Sequence, residues 1–181
     1  MEANESHELQ EHAEHGSHDS AMRPVAFTMS ILAVLVAIST VLGHRTHTEA
    51  VLNQNKATDQ WNLYQAKKIR SSDTALFSDL LKVVTVSDRE TTQKILKSYA
   101  DHQAKWDDDL KEEQQKAEEL EKDVAQAEAR ANRFDLAEAL LEIGLVITSV
   151  TLLTKSRLYW YIGLVFSLSG LAVAASAFLV K

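Results

Sequence analysis

From His44 to Ile143 the chain runs one hundred residues without a glycine or a proline. Helix interiors exclude those two residues most strongly, at about 1 and about 3 kcal/mol relative to alanine. Both ends of the run enter segments apolar enough to cross a membrane. Together these features predict an all-α chain: three transmembrane helices, with a long antiparallel coiled-coil helical hairpin between the first and second spans.

The average composition, 45% hydrophobic and 25% charged, hides a segregated chain. Apolar residues collect in Pro24 to Leu42, Leu136 to Thr154 and Leu158 to Val180. Each block is near the roughly 20 helical residues needed to cross a hydrocarbon core about 30 Å thick. The implied order is a disordered acidic His-containing tail (1–22), a first span (23–43), a helical hairpin stalk (44–135), a second span (136–154), a turn (155–157) and a third span (158–180). The first block exceeds a signal-peptide core and no small-residue cleavage motif follows it, so it reads as a retained anchor. Arg23, Lys155 and Arg157 favour a cytoplasmic tail and an extracytoplasmic stalk under the positive-inside rule, with Arg45, Arg130 and Arg133 pulling the other way. The expected location is a membrane that the chain crosses three times. A net charge of −7 argues against nucleic acid, which requires a basic surface.

The second half of the stalk carries the clearest periodicity. With Leu96 as position a, the a sites are Leu96, Gln103, Leu110, Ala117, Val124 and Ala131; the d sites are Tyr99, Trp106, Glu113, Leu120, Ala127 and Phe134. Ten of these twelve are apolar over six heptads, beyond the length usually asked of a coiled coil. Ser87 and Glu90 have capping-box spacing, and the β-branched KVVTVS before them predicts a turn near Val83 to Ser87. The first arm, from about His44 to Lys82, is less regular, and Ser71-Ser72-Asp73 predicts a break within it. Arms of this length would reach roughly 60–70 Å at 1.5 Å per residue. The Asn- and Gln-rich stretch from Asn53 to Gln65 reads as a wet surface.

Small or hydroxylated residues recur along the spans: Ala26, Ser30, Ala33 and Ala37 in the first, Gly144 and Thr148 in the second, Gly163, Ser167, Gly170 and Ala174 in the third. Such stripes let helices approach closely where lipid supplies no hydrophobic drive, and they predict a homo-oligomer. Tyr159, Trp160 and Tyr161 beside Lys155 and Arg157 mark a membrane interface.

The antiparallel plan brings His44, Arg45 and His47 to the same membrane face as Asp135, Glu138 and Glu142. The plainest use of these groups is a set of interfacial ion pairs, Arg45 with Glu138 or Glu142, because charges near span ends pair or snorkel. A proton or cation path through an oligomer, with the carboxylates as a ring, is the second use. A metal site of two imidazoles and two carboxylates is a third, but no spacing here is diagnostic of one, and no metal ligand or cofactor is assigned. His7, His12, His15 and His18 lie in a tail whose composition predicts solvated disorder.

The block VLGHRTHTEAVLNQNKATDQWNLYQAKKIR after the first span and RFDLAEALLEIGLVITSVTLLTKSRLYWYIGL across the other two resemble the bacterial family grouped as domain of unknown function 4337. The resemblance covers nearly everything after the tail and implies a small bacterial membrane protein with three spans. It transfers no functional residues. The chain holds no nucleophile–base arrangement, phosphate-binding glycine loop or cysteine–histidine motif, so a non-enzymatic role is expected. That role is a scaffold or accessory surface on the stalk, with a possible protein partner; a pore or transport component is the alternative.

Overall fold

The computed structural model describes residues 22–85 and 88–180. Among them are three helices: α1 (Arg23–Val83), α2 (Arg89–Thr154) and α3 (Arg157–Ala177), with no strand. All three contain segments long and apolar enough to cross a membrane. The chain divides into two compact units, one holding the chain up to Ala50 together with that from Ala125 onward, the other Val51–Val124.

In the first unit α1 and α2 pack antiparallel, and α3 packs on α2. Burial on α1 steps by four and three through Val25, Met29, Leu32, Val36, Ser39 and Gly43, then Thr46 and Ala50. That 3.5-residue step keeps one stripe facing a partner helix. Met29, Leu32 and Val36 meet Leu141 and Leu145 of α2 to form the core. Beside that seam on α2, Ala137, Leu141 and Gly144 also lie against α3.

The α2–α3 contact is made where side chains are absent. A Cβ on Gly144 would meet the Ser167 hydroxyl, with the Gly163 carbonyl oxygen 2.9 Å away; one on Gly163 would meet the Thr148 hydroxyl, with the Gly144 carbonyl oxygen at 2.7 Å. Thr148 and Ser167 donate to the carbonyls of Gly144 and Gly163 in their own helices, each at 2.7 Å, so these buried hydroxyls are satisfied without water. Between α2 and α3 the turn is Lys155-Ser156 alone. Lys155 has φ 54°, the left-handed conformation common just past a helix C-terminus.

The second unit pairs residues 51–83 of α1 with 89–124 of α2, again antiparallel. Every a and d position of α2 from Leu96 to Val124 is buried or half-buried. On α1 the four–three step gives Asn53, Ala57, Gln60, Tyr64, Lys67 and Ser71, continuing through Thr74 and Ser78 to Leu81. This seam is largely polar. It is joined by hydrogen bonds from Gln60 to Glu113 and from Gln103 to the Ser71 carbonyl and hydroxyl at 3.2 Å, and by the ion pair of Lys67 with Glu113 at 2.7 Å. Trp61 stands edge-on to Tyr64 and donates to Glu121 at 2.8 Å.

Three expectations meet the structure here. No break occurs at Ser71-Ser72-Asp73: α1 runs on to Val83, because Ser71 is buried in the seam with its carbonyl accepting from Gln103. Ser87 lies outside the described residues. The cap seen at the start of α2 is Asp88, whose carboxylate accepts from the Thr91 N–H at 3.0 Å and the Thr91 hydroxyl at 2.5 Å. Those two bonds from Thr91, the hydroxyl first, hold the Asp88 carboxyl below the usual carboxylate range. Of the six amides between Asn53 and Gln65, four are exposed as a wet surface requires, whereas Asn53 and Gln60 sit in the seam.

Candidate functional site

The polar cluster of the first unit forms around Gly43 of α1 and Asp135 of α2. A Cβ on Gly43 would stand 3.2 Å from an Asp135 oxygen and 3.6 Å from the Phe134 Cβ. One turn on, His47 Nε2 lies 2.9 Å from Asp135 Oδ2, with both side chains about half-exposed. The pair is ionic only while the imidazole is protonated. One turn back, the Thr40 hydroxyl lies 2.6 Å from Glu138 Oε1 and 3.0 Å from the Val36 carbonyl. Its single proton goes to the carboxylate, the shorter and charge-assisted bond.

Glu138 is half-buried at the a position that follows Ala131 in the α2 heptads. Glu142, four residues on, is also half-buried. Arg45 and His44 are exposed, and Arg45 forms no ion pair with Glu138. The structure therefore joins His47 to Asp135 and Thr40 to Glu138, and leaves His44 and Arg45 on the surface. Among the described residues no three His, Asp or Glu side chains gather as metal ligands. The tail histidines lie outside the described residues.

Two arginines have a role that their sequence context concealed. Arg133 donates to the Ser176 carbonyl at 2.6 Å, and Arg130 to the Val180 carbonyl at 3.1 Å, joined by Gln126 at 3.3 Å. Arg133 adds a second donor to a carbonyl that already accepts from the Leu179 N–H at 3.1 Å, and the two arginines put positive charge at the negative end of the α3 dipole. The Phe134 and Phe178 rings meet edge-on at 5.7 Å beside them. At the other end of α3, Trp160 donates to the Thr28 hydroxyl of α1 at 3.3 Å. Hydrogen bonds to charged donors contribute about 1.5–3 kcal/mol each. Replacing Arg133 with alanine is therefore expected to loosen the C-terminus of α3, read as faster proteolysis after Phe178 in detergent, whereas Arg45→Ala leaves that rate unchanged.

Of the small residues in the spans, Gly144, Thr148, Gly163, Ser167 and Gly170 meet at the α2–α3 contact, and Ala174 is half-buried. On α1, Ala26 is buried and Ala33 borders the core, while Ser30 and Ala37 are exposed. The buried stripe of α1 is carried by Val25, Met29, Leu32 and Val36, the last three packed against Leu141 and Leu145 of α2.

The sequence model of the family described as domain of unknown function DUF4337 matches residues 21–180. The chain belongs to this family. No curated protein and no solved structure matches it. The DUF4337 match takes in all three helices and every residue of the cluster, from Thr40 to Glu142.

Proposed function

We propose that this DUF4337 member is a non-enzymatic, oligomeric protein of the bacterial inner membrane whose hairpin acts as a scaffold or accessory binding surface. The observation that carries this reading is the outward face of the Val51–Val124 unit, on which Ile69, Leu76, Phe77 and Leu80 are all more than half exposed. Exposed apolar patches beyond a few hundred Å² mark interaction sites rather than solvated surface. The lipid bilayer would cover the apolar faces of the three spans, which include Phe27, Val34, Val165 and Leu168.

The alternative, a pore lined by junction carboxylates, draws less support. Of the two carboxylates that would line it, Glu138 accepts a hydrogen bond from Thr40 of its own chain and Glu142 is half-buried.

The orientation proposed, a cytoplasmic tail and an extracytoplasmic hairpin, is favoured by Arg23, Lys155 and Arg157 and opposed by Arg45, Arg130 and Arg133. Because the chain has no cysteine, single replacements report topology cleanly. Ser72→Cys is expected to react with a membrane-impermeant maleimide in spheroplasts, and Ser156→Cys only after lysis; the reverse pattern would invert the orientation. Intact mass in a mild detergent or nanodisc tests the oligomer. Particles of two or more chains are expected, and a monomer across all conditions would sink the oligomeric reading.

A further inference from the structure

We infer that the outer face of α1 in the hairpin is the docking surface for a second copy of this chain. Ile69, Leu76, Leu80 and Val83 repeat at steps of seven, four and three, with exposures of 60%, 63%, 53% and 80%. They stand two residues ahead of the inner positions Lys67, Thr74, Ser78 and Leu81, and two residues are about 200° around a helix. Over this stretch the helix is thus inverted: it turns Ser71, Thr74 and Ser78 toward α2 and Ile69, Leu76 and Leu80 outward. A two-helix hairpin finished in itself would place them the other way.

The heptad spacing selects a helix as the occupant, because a stripe with a 3.5-residue period stays in register only with another supercoiled helix. Area fits a self-complementary pair. With Phe77 and Val84 the stripe has six large exposed side chains. At roughly 100 Å² each they offer about 600 Å² per copy, at the top of what an ordinary monomer leaves uncovered. Two copies would bury about 1,200 Å², the lower end for specific interfaces.

Charge points to the same occupant. From Ile69 to Lys97 the basic residues are Arg70, Lys82, Arg89, Lys94 and Lys97, and the acidic ones Asp73, Asp79, Asp88 and Glu90, five against four, so two such faces meet without net repulsion. From Asp101 to Asp123 the count is ten acidic to four basic, and like faces there would repel. This inference rests on the membrane-anchored oligomer proposed above, since copies held in one bilayer meet at high effective concentration. A two-fold axis then brings Leu76 opposite Leu76 of the second copy.

The test is oxidative cross-linking of the full chain in native membranes. Leu76→Cys and Leu80→Cys are expected to give a disulfide dimer at least about five times the yield of Gln115→Cys, which lies on the outer face of α2. In an Ile69→Cys background, adding Leu76→Glu and Leu80→Glu should abolish the dimer. Equal yields at positions 76 and 115, or a product of Leu76→Cys with a different protein, would overturn the inference. If the intact particle is nevertheless oligomeric, only this surface fails; if it is monomeric, the oligomeric reading fails with it.

Discussion

Gly163→Val is expected to unseat α3 from α2 and to lower the thermal midpoint of the detergent-solubilised protein by roughly 6–12 °C. The reason is that the neighbours of the new side chain are backbone. Besides the Thr148 hydroxyl, its Cβ would meet the Gly144 carbonyl at 2.7 Å and the Thr148 amide nitrogen at 3.2 Å. A flexible side chain can swing aside, but a helix backbone moves only as a whole. Overpacking a well-filled site costs about 1–3 kcal/mol, and this contact lies at or above the top of that range. For a chain of this size each kcal/mol shifts the midpoint by about 2–4 °C.

The other glycines should grade with what their Cβ would meet. Gly144→Val is expected to match Gly163→Val, with the Gly163 carbonyl 2.9 Å away. At Gly170 the nearest atoms are the Ala137 carbonyl and Leu141 Cγ, both at 3.0 Å, and alanine there should fall between. Gly43→Ala should be neutral or stabilising: its closest neighbour is the movable Asp135 carboxylate at 3.2 Å, and a helical alanine gains about 1 kcal/mol over glycine. Equal stability of the Gly163→Val and Gly43→Ala proteins would show that close backbone approach is not what docks α3.

The second large effect belongs to Glu113, the one acidic a or d residue in the α2 heptads of the hairpin. Its carboxylate takes an ion pair from Lys67 at 2.7 Å and a hydrogen bond from Gln60, and its side chain is 11% exposed against 28% for Lys67. The hydrogen-bonded Lys67 ammonium, then Gln60, holds the Glu113 carboxyl below the usual carboxylate range. A carboxyl whose folded pKa lies below its unfolded value binds fewer protons in the folded state. Its stabilisation is therefore complete above the unfolded pKa and is lost as pH falls through the folded one.

Glu113→Gln is expected to cost about 1–3 kcal/mol at pH 7, since it leaves the Lys67 ammonium in the seam without its counter-charge. Fluorescence of Trp61 and Trp106, with Trp160 replaced by phenylalanine, follows the hairpin. The gap between wild type and variant should close as pH drops below about 4, the carboxylate reference region. Replacing both partners, Glu113→Leu with Lys67→Met, should recover most of the loss, because an apolar pair removes the desolvation cost of both charges. A pH-independent gap would assign the effect to packing rather than to charge.

Glu113 also illustrates how unevenly the fold was written in the sequence. Along α2 the apolar a and d residues from Leu96 to Phe134 announce a seam, and each of those positions is at least half-buried. Along α1 the seam carries Asn53, Gln60, Lys67, Ser71 and Ser78, whose residue types signal surface, while Ile69 and Leu76, which signal core, are exposed. Hydrophobic periodicity finds a seam only where burial and apolarity coincide. The junction was legible in part for a similar reason. Antiparallel pairing brings His47 to Asp135, but whether Arg45 or Thr40 answers Glu138 depends on a rotation of α1 that composition does not encode.

The sequence by itself determined that the chain is helical, that three stretches are apolar enough for a bilayer and that the first long helix ends near Val83. Those properties follow from the exclusion of glycine and proline and from local hydropathy, each summed over many residues. Tertiary structure alone decided which face of α1 meets α2, that Arg130 and Arg133 hold the end of α3, and that Gly144 and Gly163 touch backbone to backbone. These depend on the rotation and separation of helices about one another, set by packing between residues far apart in the chain, on which a local pattern carries no information.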